Sequence, residues 1–429
     1  MAKNIVICSD GTGNWAGDAQ PSNVYRLCNL LDLNNESIQI ACYDPGVGTN
    51  VDKHAIARLD RSQLNLKIFD DPLSSMPRWI RKHVGSASGY GLKKNLKQLY
   101  GFLVENYVEG DNIYLFGFSR GAFTVRALAG MLCRCGVLKE MNLFSYAHER
   151  CKIHYENIEK NKGKEERKNM EVEDKEFRRK NAQECKVKFL GIWDTVKAYG
   201  YIRPKSRAHT RNNEIVLTVR HALSIDERRK FYEPTHWGGL DTNPNDKNHE
   251  CKSPISGQNV KEVWFAGDHS DVGGGHEDGN NGLAQIALNW MIKEAVNAPP
   301  VDDKDKLTLL LREDKEVLEA LAKLGNLKPN RKDALFIRHD KVKEKRWQFA
   351  QRWVPRWEMI NCPYPHIQGP TFKYNDRRNI QNSKRDNKVL LHSTVALLYD
   401  DAEKQQLWGN IDPDPEKFSL IESDEYLDK

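Results

Sequence analysis

The chain has 429 residues, 39% of them apolar, so it can bury a full core, while no run approaches the roughly 18 apolar residues of a membrane-spanning helix. Lys and Arg number 66 against 60 Asp and Glu; the resulting +6, spread through a chain that is 29% charged, excludes a nucleic-acid-binding composition. Nine cysteines, an odd number with no paired C-x-x-C spacing, exclude a disulfide framework and a cysteine zinc site, and neither a metal nor a cofactor is expected.

Met1-Ala2-Lys3 runs directly into a predicted strand, Asn4 to Ser9, without a signal-peptide core. Synthesis in the cytosol is expected, with any later export through machinery that needs no signal peptide. The strand ends in Asp10-Gly11-Thr12-Gly13-Asn14. A second strand, Ser37 to Tyr43, ends in the turn-forming loop Asp44-Pro45-Gly46-Val47-Gly48. After a charged stretch, Gly91 to Tyr107 carries Leu92, Leu96, Leu99, Tyr100, Leu103 and Val104 on one stripe, the spacing of a helix packed on a sheet, and is expected to cover the strand Ile113 to Phe116.

That strand leads into Gly117-Phe118-Ser119-Arg120-Gly121 and then a small-residue helix, Ala122 to Leu132. Strand, G-x-S-x-G and helix together describe a nucleophile elbow, in which glycines permit the sharp turn that lifts a serine hydroxyl clear of the sheet. Lys160 to Lys180 is dense in Lys, Glu and Arg and reads as a solvated helix or excursion. Val187 to Ile192 is a strand ending in Trp193-Asp194-Thr195-Val196, and Val260 to Ala266 one ending in Gly267-Asp268-His269-Ser270-Asp271. Leu283 to Ala295 is helical. Asp302 to Lys345 reads as helical around Leu307 to Leu324, and Arg346 to Trp357 interleaves three arginines with three tryptophans, a composition suited either to a bilayer headgroup region or to a core.

Short apolar runs separated by helices imply an α/β fold, a mainly parallel sheet covered by helices on both faces. No repeat and no linker divides the chain, so one elaborated domain over 1–429 is expected. Within it, 50–88 and 149–186 are insertions and candidate lid or entrance elements, and 300–429 is a helical or irregular extension.

A serine nucleophile needs a base, an acid and oxyanion donors. Asp194 and His269 follow Ser119 in the order Ser, Asp, His, and both stand at strand ends, where ligands bind. A second triad with the same order pairs Asp271 with His392; the first is preferred because its acid and base close successive predicted strands. In the preferred arrangement Asp271 fixes its loop and His392 is a core or rim histidine. His221 and His236, near Asp226-Glu227-Arg228-Arg229, are expected to belong to a buried ion-pair network. The oxyanion hole should combine the backbone N–H of Arg120 with one from Gly11 or Thr12, in a turn held by Asp10.

Six ordered blocks, Ser9 to Asn14, Tyr43 to Thr49, Gly117 to Ala122, Trp193 to Val196, His221 to Arg228 and Phe265 to Gly275, resemble the bacterial and fungal α/β-hydrolase family long catalogued as a domain of unknown function. The first class of type VI secretion phospholipase effectors belongs to it. Leu391-His392-Ser393 resembles a later block. The resemblance implies phospholipase A-type ester hydrolysis by Ser119, Asp194 and His269, and an α/β-hydrolase-like fold. The stretches after Val51 and Glu149 are longer and more charged than the family pattern. The expected activity is therefore serine hydrolysis of carboxylic esters, phospholipid or other lipid acyl esters foremost, with peripheral contact at a membrane surface and no nucleic acid partner. The alternatives are a small-ester or polyester hydrolase, and a catalytically silent binding scaffold.

Overall fold

A computed structural model of the protein describes residues 2–11, 20–45, 66–68, 90–159, 164–196, 213–229, 232, 234–237, 258–276, 281–302, 305–313, 389–392 and 418–421. In chain order the elements are β1 (Asn4–Ser9), α1 (Asn23–Leu30), β2 (Gln39–Asp44), β3 (Leu66–Ile68), α2 (Tyr90–Asn106), β4 (Asn112–Phe118), α3 (Arg120–Cys135), β5 (Val137–Leu138), α4 (Phe144–Glu159), α5 (Lys164–Asn181) and β6 (Ala182–Gln183). They continue with β7 (Val187–Trp193), β8 (Val216–Ser224), β9 (Asn259–Phe265), α6 (His269–Gly273), α7 (Gly282–Val296), β10 (Val389–His392) and β11 (Phe418–Ile421).

Nine of the described strands form one sheet, ordered β11-β10-β9-β8-β7-β4-β1-β2-β3, with every pair parallel. Alternation along the strands builds two cores. Ile5, Ile7, Ile40, Cys42, Ile113 and Leu115 pack under α2 and α3. Val6, Cys8, Ala41, Tyr43, Tyr114 and Phe116 pack on the other face with α1 and α7. This is an α/β sheet covered on both faces, α/β-hydrolase-like in character. β1 pairs with β2 on one side and β4 on the other, so the order reverses between β1 and β4, and the crevice at their carboxyl ends is where open α/β sheets bind ligands.

The sequence did not announce β8, whose Arg220 and His221 interrupt an otherwise apolar run. Both side chains are buried and paired, Arg220 with Glu294 and His221 with Glu262. Because β8 lies between β7 and β9, the strands that end at Asp194 and His269 are not neighbours. The stripe on α2 lies over β1 and β2 beside α3, and it is α3 that covers β4.

The helix expected over Leu307 to Leu324 is corrected over its described part, 307–313, which is not helical. Its backbone is captured by side chains at the amino end of the sheet. Asn4 Nδ2 donates to Thr308 O at 2.7 Å, Gln39 Nε2 donates to Leu310 O at 2.8 Å, and Leu310 N–H returns a bond to Gln39 Oε1 at 3.0 Å. Local helix propensity yields to these nonlocal partners. The charged stretch after Glu149 is helical, as α4 and α5, and is pinned by Asp174 between Arg134 and Arg150 at 2.8 and 2.6 Å. Arg134 lies in the last turn of α3, about 20 Å along the axis from Ser119 at 1.5 Å per residue.

Candidate active site

Both glycines of the G-x-S-x-G turn are required by packing. A Cβ on Gly117 would sit 2.7 Å from the backbone of Ala122, and one on Gly121 only 2.1 Å from the carbonyl oxygen of Ser9. The end of β1 therefore touches the start of α3 with no side chain between. Ser119 itself has φ 57°, a left-handed value uncommon for a residue with a side chain, and its N–H donates to Trp193 O at 3.0 Å.

Asp194 is the second non-glycine residue at positive φ among the described residues, at 41°, directly after β7. It is wholly buried. Its Oδ2 lies 2.5 Å from His269 Nδ1 and accepts the Ser224 hydroxyl at 3.0 Å, while Oδ1 accepts the Ser224 N–H at 3.1 Å. His269 opens the short helix α6, whose turn folds back over the elbow. Its ring packs on Phe118, the residue before the serine, at 4.6 Å, and meets Tyr232 edge-on at 4.8 Å. Gly273 permits this, since a Cβ there would lie 2.0 Å from the Phe118 ring. Among the described residues the hydrogen bonds of His269 run to Asp194 and Glu227, with none to Ser119. Catalytic hydrogen bonds of this kind are commonly long until substrate is bound.

On the oxyanion side, Arg120 is the first residue of α3 and Gly11 is buried at the end of β1. In this conformation the Gly11 N–H donates to Asp10 Oδ1 at 2.6 Å. Asp10 Oδ2 accepts from Ser22 Oγ and Tyr43 OH at 2.6 Å each. Burial and the Asp10 charge push the Tyr43 phenol well above its ordinary range, so it stays a donor. Thr12 lies outside the described residues, as do the tryptophan and arginine segment at 346–357 and all of the 50–88 insertion except β3.

Asp271 closes a capping box with Asp268, accepting the Asp268 N–H at 2.9 Å. His276 Nε2 lies 3.0 Å from Asp268 Oδ1 and 3.2 Å from Asp271 Oδ1. Burial alone would lower the His276 pKa; hydrogen bonds and charge from the two aspartates override it and push it up to about 9. These three are the one group of ligand-type side chains among the described residues close enough to share a cation, and the histidine proton supplies the positive charge there. His392 ends β10, four strands from β4 in the sheet order, a separation of roughly 19 Å at about 4.8 Å per strand.

The buried network expected around His221 is hydrogen-bonded through a neutral imidazole, centres on Glu262 rather than on 226–229, and lies behind Asp194. His221 Nε2 accepts the Thr195 N–H at 3.1 Å, and its Nδ1 donates to Glu262 Oε1 at 2.8 Å. Glu262 also takes the Trp237 N–H at 2.8 Å and His236 Nδ1 at 3.2 Å. Burial lowers the His221 pKa against the pull of Glu262, which keeps the imidazole neutral, as its role as acceptor requires. The Glu262 carboxyl, which burial would raise, is driven well below the usual carboxylate range by the two histidines. Sequence reasoning did not single out Ser224, Glu227 or Glu262 individually; the first two stand within the block His221 to Arg228, which carried the signal.

A model of the family described as the catalytic domain of type VI secretion Tle1-like phospholipase effectors matches residues 3–294. An uncharacterized protein of Saccharomyces cerevisiae is 34% identical over 229 residues, covering 53% of this chain and 31% of its own length. Two solved structures are similar. An uncharacterized protein from Pseudomonas aeruginosa is 18% identical with a TM-score of 0.37, covering 96% of this chain and 62% of that one. The Tle1 effector bound to the VgrG spike of the type 6 secretion system is 15% identical with a TM-score of 0.28, covering 63% and 51%. This chain thus spans less than a third of the yeast protein and under two thirds of either structural relative.

Proposed function

The chain belongs to the family of Tle1-like phospholipase effectors of type VI secretion, through its catalytic domain, and we propose that it is a serine hydrolase cleaving lipid acyl esters, phospholipids foremost, through an acyl-enzyme. One observation carries the reading: a buried aspartate paired at 2.5 Å with a histidine whose ring packs on the residue preceding an elbow serine held at positive φ. The position of β10 supports Asp194 and His269 over Asp271 and His392, because His392 starts four strands from the elbow and Asp271 is engaged with Asp268 and His276.

In this reading Ser119 Oγ attacks the ester carbonyl carbon while His269 Nε2 takes its proton. Asp194 accepts the Nδ1–H, which fixes the tautomer and stabilises the imidazolium. The oxyanion is met by the Arg120 N–H at the amino end of α3, where the helix dipole adds positive character. A second donor comes from the Gly11–Thr12 turn, and for Gly11 this means exchanging its bond to Asp10 for one to the oxyanion. The imidazolium then protonates the departing alcohol, and a water activated by the same histidine releases the fatty acid. Among the described residues no helix is long and apolar enough to cross a membrane. Family membership also supports carriage by a secretion machine that needs no signal peptide.

The test is product analysis by mass spectrometry after the protein meets mixed phospholipid vesicles, with an active-site phosphonate to locate the nucleophile. Fatty acid and lysophospholipid, with the label on Ser119, are expected. Release of phosphorylated headgroup without fatty acid, or labelling elsewhere, overturns the reading.

A further inference from the structure

Asp194 and His269 follow β7 and β9, which are separated by β8, so their contact must be held by something that spans the gap. The four residues leaving β8, Ser224-Ile225-Asp226-Glu227, touch both sides. Toward β7, Ser224 gives its N–H to Asp194 Oδ1 at 3.1 Å and its hydroxyl to Oδ2 at 3.0 Å, the oxygen that also meets His269. Toward β9, the Ile225 N–H donates to Phe265 O at 3.0 Å and the Asp226 N–H to Gly267 O at 2.9 Å. Asp226 Oδ2 accepts the Gly267 N–H at 2.8 Å, fixing a glycine at φ 104° where a Cβ would lie 2.3 Å from that of Asp271. Glu227 Oε2 then accepts the His269 N–H at 3.3 Å, while Arg229 clamps both Glu227 oxygens at 2.8 and 2.5 Å. All four residues are buried.

We propose that Ser224 to Glu227 is a template that sets the register between acid and base, and that Ser224 is a positioning residue acting on His269 through Asp194. The inference rests on the acyl-enzyme reading above. A hydroxyl bonded to Oδ2 withdraws part of the carboxylate charge from His269 and fixes the plane of the carboxylate. Other groups face the imidazole without replacing this contact. Phe118 comes from β4 and Tyr232 from the segment after β8, with Arg229 stacked on Tyr232 at 3.8 Å. Glu227 meets the backbone of His269, and Asp268 and Asp271 on its own turn are engaged by His276.

The experiment measures kcat and KM on a soluble short-chain ester from pH 5 to 9, with the rate of phosphonate labelling, for wild type, Ser224→Ala and Ser224→Thr. Loss of one hydrogen bond to a charged group predicts kcat about 10- to 100-fold lower in Ser224→Ala with KM little changed. The ascending limb of the pH profile moves to higher pH, because a carboxylate shared with fewer donors holds the imidazolium more tightly. Ser224→Thr keeps a hydroxyl and should restore the limb; should its extra methyl prevent folding, the Ser224→Ala profile decides by itself. A Ser224→Ala protein that labels at Ser119 at the wild-type rate, or loses rate with its limb unmoved, overturns the positioning role and leaves the serine hydrolase reading standing. Wild type that labels elsewhere overturns the reading itself.

Discussion

The two ends of one sheet are built to opposite rules. At the amino end, Asn4, Gln39 and Asn112 are buried amides whose partners include the segment 305–311 and, through Asp305, Lys188 at 2.6 Å. No described non-glycine residue there has positive φ. At the carboxyl end, both non-glycine residues at positive φ occur, Ser119 and Asp194, together with a histidine wedged between two aromatic rings. Closed, relaxed bonding at one end and strained, poised side chains at the other divide stability from chemistry along a single set of strands.

The sharpest way to break that division is Ser119→Ala. Ester turnover should fall by several orders of magnitude, to the residual of about 10³ to 10⁴ over water left by binding and oxyanion donors, with the melting temperature preserved. Turnover within tenfold of wild type would remove chemistry from the elbow. Next in size is the contrast between His269→Ala and His392→Ala at one pH. The former should lose about 10⁴-fold or more in kcat and the latter little, and collapse confined to His392→Ala would transfer the base to β10.

A substitution at the other end should show the reverse pattern. Gln39→Ala removes the side chain that both gives and takes hydrogen bonds with 305–311, and should destabilise the fold by about 1 to 3 kcal/mol while kcat per folded molecule holds. A large loss of kcat at unchanged stability would show that the two ends are coupled.

The smallest expected effect is a pH dependence. His276 is raised in the folded protein from an ordinary 6.5 to about 9, so its pairing with Asp268 and Asp271 stabilises fully below pH 6.5 and is lost as pH rises through 9. The melting-temperature gap between wild type and His276→Gln should shrink over that window. A gap that is constant from pH 6 to 9.5 would mean that the imidazole is not held protonated.

The residues of the candidate site were legible because each sits where an apolar run stops: Asp10, Ser119, Asp194 and His269 all follow strands that read as such. β8 was not legible, since two charged or polar residues in its middle find their carboxylate partners in Glu294 and Glu262, far along the chain. For the same reason Ser224 and Glu227 carried no individual signal: a serine's value here lies in an aspartate 30 residues away. The segment after Asp305 misled through its leucine spacing, because the amides that capture its backbone lie about 270 to 300 residues earlier. What the sequence lacks in such places is the partner, which only the sheet brings near.

The strand order carries a further consequence, in time. From β4 outward the strands of the main sheet add in the order in which the chain is made, β7, β8, β9, so that edge lengthens during synthesis without threading or rearrangement. His269 follows Ser119 by 150 residues, roughly 8 to 30 seconds at ribosomal rates of about 5 to 20 residues per second. Over that interval the elbow can form on β1 and β4 while its hydroxyl has no base. On the proposed mechanism, a growing chain would carry an elbow serine that is chemically idle, and the capacity to cut esters would arrive only when β9 closes onto β8.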